Sequence, residues 1–191
     1  MDSGTTIKYF ITYSRRRSIS MKFRKDGNLS IAAPYGVSEK YIKEFIDSRR
    51  NWIIKNYNAI KKNLLYVEQN GYYSDLDIKD MKKKSKDIIT SRVLYYAKKG
   101  NFSFNRITYK VMKTQWGSCS GKRNLNFNCV LSLMPLSIID SVVVHELCHL
   151  RHMDHSKEFY KEVYALCPTY NECHKWLKIN GPRYLARINK D

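Results

Sequence analysis

The sequence predicts an α+β fold in which an antiparallel β-sheet carries packed helices. Three observations carry that expectation. The first third alternates with the two-residue period of strands; residues 38–62 place apolar residues at helical spacing; and Pro135 leads into an apolar run long enough for a buried helix. With 43% of its 191 residues hydrophobic, the chain can bury a substantial core.

Taken in order, IKYFITYS (7–14), RSISMKFRK (17–25) and LSIAAP (29–34) read as strands, with Asp26-Gly27-Asn28 as the turn between the last two. An antiparallel meander is expected. Ser38 caps SEKYIKEFIDSRRNWIIKNYNAIKK, whose apolar positions 41, 42, 45, 46, 52, 53, 57 and 60 predict one long helix. Residues 64–76, with Gly71 among polar neighbours, read as a linker, and a second helix is expected over about 77–99, stopped by Gly100. Its KKKSK run at 82–86 reads as a solvated face.

RITYKVMK (106–113) and NLNFNCVLS (124–132) alternate like strands on either side of the tight loop TQWGSCSGKR, which predicts a second hairpin. Pro135 suits the first turn of a helix through SIIDSVVVHELCHLRH; the chain then turns at Met153-Asp154 and restarts as SKEFYKEVYALC. A short last helix, YNECHKWLKI, is expected to close at Gly181-Pro182. The predicted regions are 1–63 (meander plus helix), 64–103 (linker and helix) and 104–191 (the histidine-rich part), the last forming one compact unit with the N-terminal part.

The net charge of +18 is unevenly spread: residues 1–113 hold 25 Lys and Arg against 10 Asp and Glu, residues 114–191 only 10 against 7. A basic half of this strength attracts DNA or another polyanion, although the same charge also keeps a protein dissolved. Cys119, Cys129, Cys148, Cys167 and Cys173 form no CxxC pair and are odd in number, so they read as reduced, buried thiols. No run of eighteen apolar residues occurs and MDSGTTIKYF lacks signal-peptide character, so a cytoplasmic protein with no membrane partner is expected.

The chemistry concentrates in HELCHLRHMDH, residues 145–155. His145 and His149, four apart on a helix, put two imidazoles on one face within reach of one Zn²⁺, and Glu146 between them lies beside such an ion, not on it. A catalytic site needs a third ligand and an open position. His152 is disfavoured, because seven residues of helix separate it from His145 by about 10 Å. His155 lies past the turn, where the chain can fold back and complete HExxH-x5-H; Asp154 reads as the cap of the next helix or as an acceptor for a histidine N–H.

The run VVVHELCHLRHMDHSKEFY, with the upstream TQWGSCSGKRNLNFNCVLSLMPLSIIDS, resembles the YgjP-like metallopeptidase family, itself similar to SprT/Spartan and Wss-type zinc proteases. The resemblance spans about residues 104–165, and SEKYIKEFIDSRRNWI is also similar to that family's N-terminal half. It implies a zincin-like active-site helix, His145, His149 and His155 as zinc ligands, and Glu146 as general base. It also sets WGSC, here Trp116 to Cys119, near the cleft. Tyr160 stands where many members are expected to have Trp, a position that reads as helix packing.

The expected activity is hydrolysis of a peptide or protein substrate, with proteins associated with DNA as one class suggested by the SprT/Spartan likeness. Trp116 and Ser118 are candidate substrate contacts, and Tyr164 a candidate second donor to the oxyanion. Either RITYKVMK or NLNFNCVLS is a candidate edge for a bound peptide strand. His174 reads as a surface histidine. Two other functions fit the same motif: hydrolysis of a nucleotide phosphoanhydride, and a nucleic-acid-binding module with a structural metal.

Overall fold

Alternation along LSIAAP buries Leu29, Ile31 and Ala33 and turns Ser30, Ala32 and Pro34 the other way, which makes this segment the centre of a sheet. In the computed structural model, which describes residues 7–24 and 26–188, the chain is α+β and divides into two compact units, Met1–Glu68 and Gln69–Asp191.

The first unit holds β1 (Tyr9–Ser14), β2 (Ser20–Phe23), β3 (Leu29–Pro34), α1 (Glu39–Ser48) and most of α2 (Arg50–Asn70). The strand order is β1-β3-β2. β2 and β3 form the expected hairpin, with Gly27 at φ 84° and Asn28 N–H donating to Asp26 Oδ1 at 3.0 Å. The meander is corrected, however: β1 pairs with β3 in parallel, from Tyr9↔Leu29 to Ser14↔Pro34. A period of two fixes which face of a strand is buried and says nothing of its partner; β3, the most apolar of the three, takes the centre, and the chain passes from β1 round its end to β2.

Leu29, Ile31 and Ala33 pack with Ile42 and Ile53 into one core. Ser38 caps α1 as expected, its Oγ accepting from Tyr41 N–H at 3.2 Å. The single long helix is instead two, broken at Arg49 (φ −111°, ψ 12°), and α2 runs on to Asn70, so the stretch read as a linker is helical over most of its length.

The second unit begins with α3 (Asp75–Gly100), opened by a capping box between Ser74 and Asp77 and closed by left-handed Asn101 (φ 51°) in the role expected of Gly100. There follow β4 (Arg106–Lys110), β5 (Gly117–Cys119), β6 (Asn124–Asn128), a 3-10 turn (Cys129–Leu133), α4 (Leu136–Cys148), α5 (Lys157–Leu166) and α6 (Tyr170–Ala186). The second sheet repeats the order of the first: β6 lies between β4, parallel to it, and β5, antiparallel. The hairpin is therefore β5–β6, and the loop read between two strands contains a strand of its own.

α4 is enclosed on nearly every side, with Ile138, Ile139, Val142, Val143, Val144 and Leu147 in the core beside Phe127 and Phe159. The Arg92 guanidinium of α3 grips Asp140 of α4 with two bonds of 2.5 and 2.8 Å. α6 does not close at Gly181-Pro182 but carries both inside it. The missing side chain of Gly181 lets the helix press on Trp116, where a Cβ would lie 2.7 Å from Cζ2 of the indole. Pro182, a residue that costs on the order of 3 kcal/mol inside an exposed helix, thus follows a glycine that is buried against Trp116. No helix among the described residues is long and apolar enough to cross a membrane.

Candidate metal centre

His145 and His149 stand one turn apart at the end of α4, and the reversal over residues 150–156 brings His155 back to them. His145 Nε2 lies 3.2 Å from His149 Nε2 and 3.2 Å from His155 Nε2. All three ring nitrogens fall within 4.8 Å of one another, a group that can hold one metal ion. Nitrogens bound at about 2.05 Å to a tetrahedral zinc lie about 3.3 Å apart, which the two pairs that share His145 match.

The outer nitrogens sharpen the fit. His149 Nδ1 is 2.9 Å from the carbonyl oxygen of His152, an atom that only accepts, so Nδ1 carries the proton and Nε2 presents a lone pair to the cluster. His145 Nδ1 lies 2.8 Å from the Tyr170 hydroxyl, which can accept in the same way. Burial, then the nearby imidazoles of His149, His155 and His174, pushes the His145 pKa down to about 3, which keeps the ring neutral and able to ligate. Phe159 is fully buried under the group, its ring 5.0, 4.6 and 5.0 Å from those of His145, His149 and His155.

His152 supplies the turn's carbonyl, but its ring points to Glu162, at 3.2 Å, and stays out of the cluster; since α4 ends at Cys148, it is this pairing and not a continuing helix that keeps it away. Asp154 is neither the cap nor an acceptor for a histidine. Ser156 caps α5, and Asp154 Oδ1 accepts from Ser156 N–H at 3.3 Å, bracing the reversal from one residue further out.

Glu146 is 5% exposed and lines, with His145, a pocket of about 220 Å³. Burial raises its pKa to about 8 in the absence of a cation. Its side chain lies directly over the Cα of Gly117: a Cβ there would be 2.5 Å from Cγ and 2.6 Å from Oε1. Trp116 lines the same pocket with Val142 and Leu177. Its loop is held by buried Asn128, whose Nδ2 donates to the carbonyls of Met112 (2.6 Å) and Gln115 (2.9 Å) and whose backbone N–H donates to that of Trp116 (2.8 Å).

Ser118 turns away. Strand alternation points Gly117 and Cys119 toward α4 and Ser118 to the opposite face, where its Oγ accepts from Asn126 Nδ2 at 3.1 Å. Tyr164, the candidate oxyanion donor, gives its hydroxyl to Asn171 Oδ1 at 3.1 Å and does not line the pocket. Tyr160 packs among Phe159, Tyr164 and Tyr170, as a helix-packing residue should.

Sequence reading missed Tyr170, His174 and the spatial role of Gly117. Tyr170 OH is 3.3 Å from His174 Nδ1, and both line the pocket, so His174 is no isolated surface histidine. The signal was present: Tyr170 and His174 are four apart, on one face of α6. What sequence lacked was any sign that this face meets α4.

The family described as "YgjP-like, metallopeptidase domain" matches residues 17–79 and 76–180, so the chain belongs to the YgjP-like metallopeptidase family and is a peptidase-type hydrolase. No curated protein matches the chain.

Proposed function

From membership of the YgjP-like metallopeptidases as premise, we propose that this protein is a zinc-dependent peptidase with His145, His149 and His155 as ligands and Glu146 as general base. The carrying observation is the convergence of three Nε2 atoms, 3.2 Å apart in two pairs, beside a pocket walled by a buried carboxylate. His149, its Nδ1 proton given to the His152 carbonyl, presents a lone pair there, and a cation among the three nitrogens would take a lone pair from each ring. A zinc ion held there supplies Lewis acidity toward water and toward a peptide carbonyl.

The chain's own groups do the rest. Without a cation the buried Glu146 keeps its proton at neutral pH; a neighbouring positive charge favours the carboxylate, which is the form that takes a proton from attacking water. Having accepted it, the same side chain delivers it to the leaving amine. Gly117 fixes where that carboxylate sits, and Tyr170 holds the His145 ring through Nδ1.

β5 is an outer strand of its sheet and the one whose Gly117 touches Glu146, so a substrate peptide added along β5 runs past the proton acceptor. This favours β5 over the two edges suggested by sequence; β6 is central and has no free edge. The apolar part of the pocket, Trp116, Val142 and Leu177, suits one aliphatic or aromatic substrate side chain. No Lys or Arg lines that pocket, which speaks against the nucleotide phosphoanhydride reading. A purely structural metal leaves Glu146 buried with no task.

The test is Glu146→Gln. Cleavage of an unfolded protein or a quenched peptide should fall by at least about a thousandfold while zinc analysis still finds one ion per chain. Retained cleavage in a zinc-loaded variant sinks the assignment.

A further inference from the structure

The sheet of the first unit buries one face against Ile42 and Ile53 and leaves the other open. Across that open face, register sets Phe10, Ser30 and Lys22 in one row and Thr12, Ala32 and Ser20 in the next. Phe10 is 49% exposed and takes no part in the core. Apart from Lys22, the side chains beside this half-exposed ring in the two rows are small or carry hydroxyls.

Cationic side chains share this face. Lys8 and Arg24 continue the outward alternation of β1 and β2, and the Arg24 guanidinium lies over Phe10, 5.3 Å from its centroid. Arg16 reaches the same face, donating from Nη2 to Ser20 Oγ at 2.9 Å and from Nε to the Ser18 carbonyl at 2.5 Å. Asp26, the single acidic residue between positions 7 and 34, lies 3.7 Å from Arg24 and offsets one of the seven basic residues in that stretch.

We propose that this face binds single-stranded nucleic acid, a base stacking on Phe10 and the flanking phosphates meeting Lys8, Lys22, Arg24 and Arg16. The small side chains of Ser30, Ala32 and Ser20 leave room for a flat base, and the hydroxyls of Thr12 and Ser30 offer it donors and acceptors. Three strands spaced about 4.8 Å apart give a platform of roughly 10 Å, the width of one strand and too narrow to follow both backbones of a duplex. A bilayer is disfavoured, because one ring among hydroxyls offers little apolar surface to insert. The proposal stands apart from the metal centre, since every residue in it belongs to the first unit.

The test uses the full chain and a fluorescein-labelled 12-nucleotide oligothymidine, its oligouridine counterpart, a 12-base-pair duplex and phosphatidylserine vesicles. Fluorescence anisotropy should show binding of at least one single strand, weakening steeply from 50 to 200 mM salt. Phe10→Ala should weaken it about tenfold. Lys22→Ser, which removes no apolar contact and so guards against a misfolded first variant, should lower the salt slope by about one. Neither variant should alter cleavage of a short peptide, which separates this proposal from the peptidase assignment. The thymidine and uridine arms report whether the sugar matters. The proposal is overturned if no single strand binds at 50 mM salt, if duplex or vesicles bind as tightly, or if both variants bind like wild type.

Discussion

Gly117 of β5 and Glu146 of α4 occupy one space: the nearest approach of an added Cβ to the glutamate would be 2.5 Å, shorter than real Cβ contacts allow. The strand motif and the helix motif, twenty-nine positions apart in sequence, are therefore one device.

Gly117→Ala follows from this directly. The carboxylate must move by about an ångström or the strand must retreat, and a displacement of that size costs on the order of 100-fold in turnover. Steady-state kinetics on a peptide substrate should show that loss in kcat with zinc content unchanged, because no histidine is touched. Wild-type kcat in this variant would show that Glu146 has freedom the packing denies it.

Tyr170→Phe removes the oxygen 2.8 Å from His145 Nδ1 and leaves the ring in place. Partners of this kind orient a ligating imidazole and raise its basicity, so zinc affinity should fall about tenfold in competition with a chromophoric chelator. Tyr164→Phe is the control: it breaks only the bond to Asn171 and should leave affinity alone.

Phe159→Leu tests the floor beneath the three imidazoles. Leucine keeps most of the buried volume, so stability should drop by only about 1 kcal/mol, yet the three rings lose the flat surface that each meets at 4.6 to 5.0 Å. Zinc affinity should weaken beyond what stability predicts. Val163→Ala, equally buried in α5, should cost stability without that excess. Equal effects on affinity from both would reduce Phe159 to ordinary core.

How much of this was legible beforehand varies with the kind of signal. Local patterns carried well: Ser38 at its cap, the turn at Gly27, a helix leading into the histidines, and a reversal after it that brings His155 beside His145. Partner choice did not. Nothing in the alternation of IKYFITYS distinguishes a parallel from an antiparallel neighbour, so both sheets acquired a mixed pairing that the strands themselves do not declare. Gly181-Pro182 reads as a helix stop until Trp116 is known to lie against that glycine, and Tyr170 and His174 gain meaning only once α6 meets α4. Ser118 is different, because strand alternation from Gly117 alone would have pointed it away.

Asp140→Asn addresses what holds α4 still. Arg92 makes two short bonds to Asp140, and Tyr96 donates its hydroxyl to Asp140 Oδ2 at 3.3 Å, so two side chains of α3 place three hydrogen bonds on one carboxylate of the helix that carries His145. The pair is only partly shielded, with side chains 25% and 14% exposed, which lowers the expected cost below that of a fully buried ion pair to about 2 kcal/mol. For a chain of this size that is a fall in Tm of about 4 to 8 °C. Arg92→Met alone should cost a similar amount, and the double variant less than the two together, since each single change leaves a charge or an amide without its partner. Additive losses in differential scanning calorimetry would mean that the two side chains stabilise the α3–α4 contact independently, through their packing and not through each other.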